Sequence, residues 1–459
     1  MSPHDALQDI WAVGGLPDDA LPHAALTGND PVLPSSFAVG TAAQSTVAAA
    51  ALAACELGHL RGQARQNVSV DMQHAALECT GWFSRDGRAP VAWDKFSGLY
   101  RCADGWVRIH ANFAHHRDGA LRLLGLAPES VQRADAERAL LAWKALDFEQ
   151  TAADAGLVVA ALRSFDEWDK HPQGQAVAAL PLMRFERIGD APPRELSALN
   201  EDDRPLTGVR VLDLTRILAG PVCGRALAAC GAEVMLVNSP HLPNIESIAD
   251  TSRGKLSAHV DLQTQDGRVA LERLIAEARV FVQGYRPSRL SALGFSSQSI
   301  AKRRPGIVCV SLSAYGETGP WCERRGFDSL LQTATGFNHA ESEAAGSTEP
   351  KPLPMQILDY ATRHLMAFAA SAALRRQALE GGSWHVRLSL AQTGHWIRNL
   401  GRMANGFAVT NPDRAPYLET ATSGFGELVA LRHSAQFERT PTRWARPSMP
   451  PGTHPPVWP

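Results

Sequence analysis

The sequence predicts an α/β protein: a large Rossmann-like domain whose parallel sheet carries helices on both faces, preceded by a smaller α+β domain. Three observations predict this. At 459 residues the chain exceeds the size at which one hydrophobic core normally divides. From about Arg204, short apolar runs rich in β-formers alternate with helical stretches, as strands joined by crossover helices do. Before Arg204 the texture is that of a hairpin followed by helices. With 45% hydrophobic and 20% charged residues, long disordered regions are not expected.

Taken in order, residues 33–75 run Leu-Pro, an apolar stretch, an Ala-rich helix, a Gly turn and an alternating strand, and residues 353–394 repeat that plan. The match predicts a degenerate duplication in which Val39 stands where the later copy has Asp359. Ala-rich composition makes such likeness cheap, so two unrelated Ala-rich helices are the competing explanation. Residues 1–90 are expected to be this N-terminal copy, structural and without chemistry, completing the large domain's sheet or that of a partner. Residues 91–190 are expected to form the small domain: "GLYRCADGWVRIHAN" reads as a hairpin turning at Ala103-Asp104-Gly105, followed by helical stretches such as "ADAERALLAWKAL". The Pro- and acid-rich "RIGDAPPRELSALNEDDRPLTG" has no periodicity and reads as a linker.

The large domain is expected over 204–410. "GVRVLDLT", "GAEVMLVNS", "LSAHVDL", "RVFVQGY" and "GIVCVSLSAY" read as strands, with "GPVCGRALAAC" and "DGRVALERLIAEA" as helices between them. Residues 411–459 are left as a C-terminal return segment.

Several function classes are disfavoured. A net charge of −2 argues against a wholly basic nucleic-acid or membrane-surface protein. No run of 18 apolar residues occurs, and the start lacks a basic segment followed by an apolar core, so neither a membrane span nor a secretory leader is expected. Seven cysteines without a C-x-x-C suit a reducing, cytoplasmic setting. The first β-α turn, "TRILAGPVCGRALA", has Gly220 and Gly224 four apart instead of G-x-G-x-x-G, and there is no P-loop. No metal motif is present; His115 and His116 are adjacent, not on one helical face, and read as surface or domain-contact residues. Asp359, where an apolar run becomes a helix, is by itself most simply an N-cap.

Five blocks change that reading. "RPLTGVRVLDLTRILAGPVCGRALAACGAEV", "SRGKLSAHVDL", "VFVQGYRPSRLSALGF", "VSLSAYGETGPWCERRGFDSLLQTATG" and "LPMQILDYATRHLMAFAASAAL", in this order and spacing, resemble the class III CoA-transferases (the CaiB/BaiF family), which also contain the α-methylacyl-CoA racemases. "YRCADGWVRIHAN" resembles the opening hairpin of that family's small domain, here ahead of the large domain instead of after it. The resemblance implies a class III CoA-transferase-like fold descended from a fused pair, and a homodimer, with interlocked chains as one arrangement. It implies an acyl-CoA donor and a carboxylate acceptor, with CoA as substrate and no permanently bound cofactor.

Residue by residue, the resemblance makes Asp359 the nucleophile. A carboxylate suits the task because it can form both a mixed anhydride and an aspartyl-CoA thioester, preserving the thioester's energy. It implies CoA contacts at Leu218 and Ala219 on the first turn, at Arg253, Gly254 and Lys255, at Tyr285 and Arg286, and beside Phe327. The family's usual further basic residue is Leu256 here. Phe327 occupies the place of a racemase histidine, so two-base racemisation lacks one base; Asp328 next to it could assist the nucleophile or cap its helix. Arg363 replaces a common glycine, where it could narrow the acyl channel or bind a second carboxylate. The alternatives are a racemase-like isomerase and a non-catalytic CoA-binding subunit of the same fold.

Overall fold

The computed structural model describes residues 1–459, the side chain of Pro287 excepted. Seven strands form the main sheet, in the spatial order Lys255–His259, Glu233–Asn238, Arg210–Leu214, Val280–Gln283, Val308–Ser313, Ser383–Ser389 and Arg184–Gly189. The first six are parallel. Side chains alternate between the faces: Val211, Val280 and Val310 enter one apolar cluster, Leu212, Phe281 and Cys309 the other. Both faces are covered, which is why these strands read as near-continuous apolar runs.

The expectation of a parallel sheet needs one correction. Arg184–Gly189, read as the end of the small domain and the start of the linker, pairs antiparallel with Ser383–Ser389 as an edge strand. Its alternating "RFERIG" is only half-buried, so its apolar signal is weak.

The small sheet pairs Gly98–Arg101 with Trp106–Ile109 across the Ala103–Gly105 turn and adds Val159–Ala161. Tyr100, Val107, Ile109 and Phe148 belong to its own core cluster.

The helix bearing Asp359, Ile357–Glu380, is buried continuously from Ile357 to Leu374 and ends at Gly381, whose φ is +71°. Packed along it is the N-terminal helix Val39–Leu60, buried from Val39 to Gly58. Both are enclosed on all sides, so neither has a pronounced apolar stripe. Their alanines permit close approach, because interhelical distance follows side-chain size. The strand that follows the N-terminal helix, Val68–Asp71, does not complete the main sheet. It lies between Ala24–Thr27 and Ala435–Phe437 in a separate sheet, so the first and last parts of the chain are built together. No helix among the described residues is long and apolar enough to cross a membrane.

Candidate active site

Strand order reverses around Arg210–Leu214 and Val280–Gln283, and the crevice beyond the carboxyl ends of such strands is where open α/β sheets bind ligands. A cavity of about 700 Å³ lies there. It is lined by the first β-α turn, including Leu218 and Ala219, by Tyr285 and Arg286, which follow the central strand, and by Phe327 and Asp359. Ile217 in that turn has φ +75°, an outlying conformation for a β-branched residue, and such outliers cluster at functional sites.

Asp359 is not a helix cap. The helix starts at Ile357 after Gln356, which makes no side-chain capping bond, and Asp359 is its third residue. The cap comes from elsewhere: Asp328, first residue of the helix Asp328–Ala334, accepts the backbone N–H of Asp359 at 2.8 Å through Oδ2. Its Oδ1 accepts from the Gln332 amide. The two acids are therefore adjacent and both buried, with Asp328 1% and Asp359 8% exposed. Asp359 lines the cavity. Burial raises the Asp328 carboxyl to about 7 against the Asp359 N–H and Gln332 bonds that favour its ionised form. Burial and then repulsion from Asp328 push Asp359 well above the ordinary carboxylate range, with Arg363 opposing. Both carboxyls are thus raised, Asp328 by burial and Asp359 by burial and by its neighbour's charge.

Arg253, Gly254 and Lys255, expected to contact CoA, do not line this cavity. Lys255 is fully buried, its Nζ 2.8 Å from Asp213 Oδ2 beneath the helix Ala219–Ala229. Arg253 is ion-paired to Asp250 and to Glu419 at 2.9 Å, and lies 3.8 Å from the Trp444 ring centre. A Cβ on Gly254 would come within 2.7 Å of Trp444. Arg253 thus joins the C-terminal segment to the region ahead of the strand Lys255–His259, Lys255 is matched by Asp213, and both charges are already paired. Arg363 is likewise committed: fully buried, it stacks on Tyr360 and meets Glu78 Oε1 at 3.4 Å, away from the cavity wall.

The basic lining comes from Arg216, Arg286, Arg289, Arg324 and Arg325. Of these, sequence reading singled out Arg286 alone. Arg216 follows the first strand and was discoverable by its place in the turn. The small domain supplies Phe113, His115 and His116. His116 Nε2 meets Arg325 Nη1 at 3.1 Å, and burial, then His115 and Arg325, push its imidazole down to about 3, so it is neutral. Phe327 stacks face to face on His110, 4.0 Å between ring centres. The histidine pair thus lies at the contact between domains, on the wall of the cavity.

Residues 206–417 match the model of CoA-transferase family III. An acyl-CoA transferase of Gibberella moniliformis is 29% identical over 379 residues, covering 73% of this chain and 66% of its own. A succinate–glutarate CoA-transferase of Agrobacterium fabrum is 28% identical over 263 residues, 51% of this chain and 65% of its own. A CaiB/BaiF family protein from Brucella suis has a solved structure, 26% identical, covering 49% of this chain and 65% of that one, with a TM-score of 0.39. The chain spans about two thirds of the length of these relatives.

Proposed function

Because the segment 206–417 belongs to CoA-transferase family III, we propose that the protein moves CoA from an acyl-CoA donor to a carboxylic acid, with Asp359 as the group that is acylated. The observation that carries this reading is that the buried carboxylate pair opens to the cavity at Asp359. Ionised Asp359 attacks the thioester carbonyl, forming a mixed anhydride and releasing CoA thiolate. The thiolate attacks the Asp359 acyl carbon, giving an aspartyl thioester and freeing the donor acid. The acceptor carboxylate then displaces thiolate to form a second anhydride, and thiolate attack on the acceptor's acyl carbon yields the new thioester and restores Asp359.

The chain's own residues have defined parts in this scheme. Asp328 fixes the Asp359 backbone by accepting its N–H, and its charge disfavours the ionised form of Asp359, which makes the attacking carboxylate more reactive. The arginines of the cavity face the CoA phosphates, for which guanidinium geometry is suited. Phe327 has no ionisable atom, and burial with Arg108 nearby pushes His110 down to about 3, which disfavours the racemase alternative. Asp359→Asn keeps the backbone N–H that Asp328 caps and removes the nucleophile. The expected result is loss of CoA transfer and of any hydroxylamine-trapped aspartyl adduct, with unchanged circular dichroism. Turnover retained by Asp359→Asn overturns the proposal.

A further inference from the structure

Phe327 is the N-cap residue of the helix Asp328–Ala334 and makes no side-chain capping bond, which leaves the packing of its ring to place the start of that helix. Three rings of the small domain hold it. His110 stacks on it with 13° between the ring planes, Phe113 lies 6.1 Å away between ring centres, and His116 meets it edge-on at 6.4 Å. The preceding residues are bound from the same side, since Arg325 Nη1 donates to the Gly156 carbonyl at 2.7 Å. Near the other end of the helix, the Arg163 N–H donates to the Thr333 carbonyl at 3.3 Å. Asp328 comes directly after Phe327 and accepts the Asp359 N–H. A continuous set of contacts therefore runs from His110 to Phe327, on to Asp328, and from there to the backbone of Asp359.

His110 is 6% exposed and does not line the cavity, so it meets no substrate directly. Its Nδ1 has no hydrogen-bond partner among the described residues, and burial followed by the charge of Arg108 keeps the imidazole neutral. What it presents to the large domain is a flat, uncharged face. Aromatic rings favour stacked and edge-on arrangements, and Phe327 has one of each, on His110 and on His116. We infer that His110 is a positioning residue of the active site: through the Phe327 ring it sets where Asp328 stands, and so holds in place the carboxylate that fixes the Asp359 backbone. The same ring lines the cavity, so the small domain shapes the wall and the acid pair through one side chain. Small displacements matter here, because a misplacement of about 1 Å can cost about a hundredfold in rate. This inference rests on Asp359 being the acylated group.

Three variants of the full chain test it. His110→Ala removes the stacking face, His110→Leu fills the space without a planar face, and His110→Phe keeps the face while removing both ring nitrogens. In the first two, kcat is expected to fall about ten- to a hundredfold with little change in KM for acyl-CoA. The backbone amide of Asp359 should also exchange with deuterium faster, as its acceptor moves away. The ascending limb of the pH–rate profile should move to lower pH, because Asp328 without the N–H bond holds its proton more firmly and repels ionised Asp359 less. His110→Phe should keep the rate, the limb and the amide protection of wild type. Where the cavity left by His110→Ala lowers its melting point too far for assay, His110→Leu carries the test. Wild-type amide protection and an unmoved limb in the variants without a planar face overturn the inference. So does a His110→Phe protein as impaired as they are, since the effect then belongs to the ring nitrogens. Turnover retained by Asp359→Asn, with the Asp359 amide still exchanging faster in His110→Ala, would instead overturn the acylation scheme alone.

Discussion

At the scale of the residue, two aspartates divide roles that sequence context would have given to either. Asp328 is the first residue of its own helix yet caps the helix Ile357–Glu380, and the carboxylate of Asp359 lines the cavity. Their titration follows. Asp328 repels the ionised form of Asp359, so replacing Asp328 by Asn should lower the Asp359 pKa. The ascending limb of the pH–rate profile should then move to lower pH, although turnover falls as the helix start loses its charged acceptor. Arg363, which acts in the opposite direction on Asp359, is unchanged by this substitution. A limb that stays in place or moves upward would show that the two acids do not titrate together. The stability linkage has its own sign. The Asp328 carboxyl is raised from 3.8 to about 7, so its contribution is fully present below the unfolded value and is lost as pH rises through about 7.

At the scale of the element, the helix Ala219–Ala229 shows why Gly220 and Gly224 are spaced as they are. A Cβ on Gly220 would lie 2.3 Å from Thr215 Cβ; one on Gly224 would lie 2.4 Å from Asp213 Oδ2 and 2.9 Å from Lys255 Nζ. The glycines seat the helix over a buried ion pair, a different use from the backbone-to-pyrophosphate approach of a dinucleotide motif. Gly224→Ala should destabilise the protein by about 1–3 kcal/mol through overpacking, although alanine favours helix. Urea unfolding checks this, and an unchanged midpoint would show that the pair moves aside freely.

At the scale of the whole molecule, the first 80 residues are part of the fold around Asp359 and not an appendage. Glu78, from the N-terminal segment, reaches Arg225 at 3.1 Å and Arg363 at 3.4 Å and accepts from the N–H and hydroxyl of Ser434 near the C-terminus. One buried carboxylate thus ties together the N-terminal segment, the helix of the first β-α turn, the Asp359 helix and the returning chain. Burial by itself would raise Glu78, but His433, Arg363 and Arg225 hold it well below the usual carboxylate range. Its stabilisation is therefore present above the unfolded value of 4.5 and lost on acidification. Glu78→Ala leaves Arg225 and Arg363 with less compensation and should cost about 3–5 kcal/mol. Denaturant unfolding at neutral pH measures it, and a loss that persists undiminished at low pH would contradict the assignment to charge.

By itself the sequence determined the alternating strands and helices of the large domain, the small domain's hairpin, and the place of Asp359 at the start of a long buried helix. These are local: periodicity, turn residues and the change from an apolar run to a helix are written within windows of a few to some twenty residues. The tertiary structure decided which charges are free. Arg253 and Lys255 look the same in sequence as Arg216 and Arg325, and differ because Asp213, Asp250, Glu419 and Trp444 surround the first two. Arg363 is taken by Glu78, 285 residues away. The cap on Asp359 comes from 31 residues upstream, and the edge strand Arg184–Gly189 exists because Ser383–Ser389 offers it a partner. A charge or a strand edge is satisfied by whatever the chain brings near it, and its own neighbours in sequence do not record what that will be.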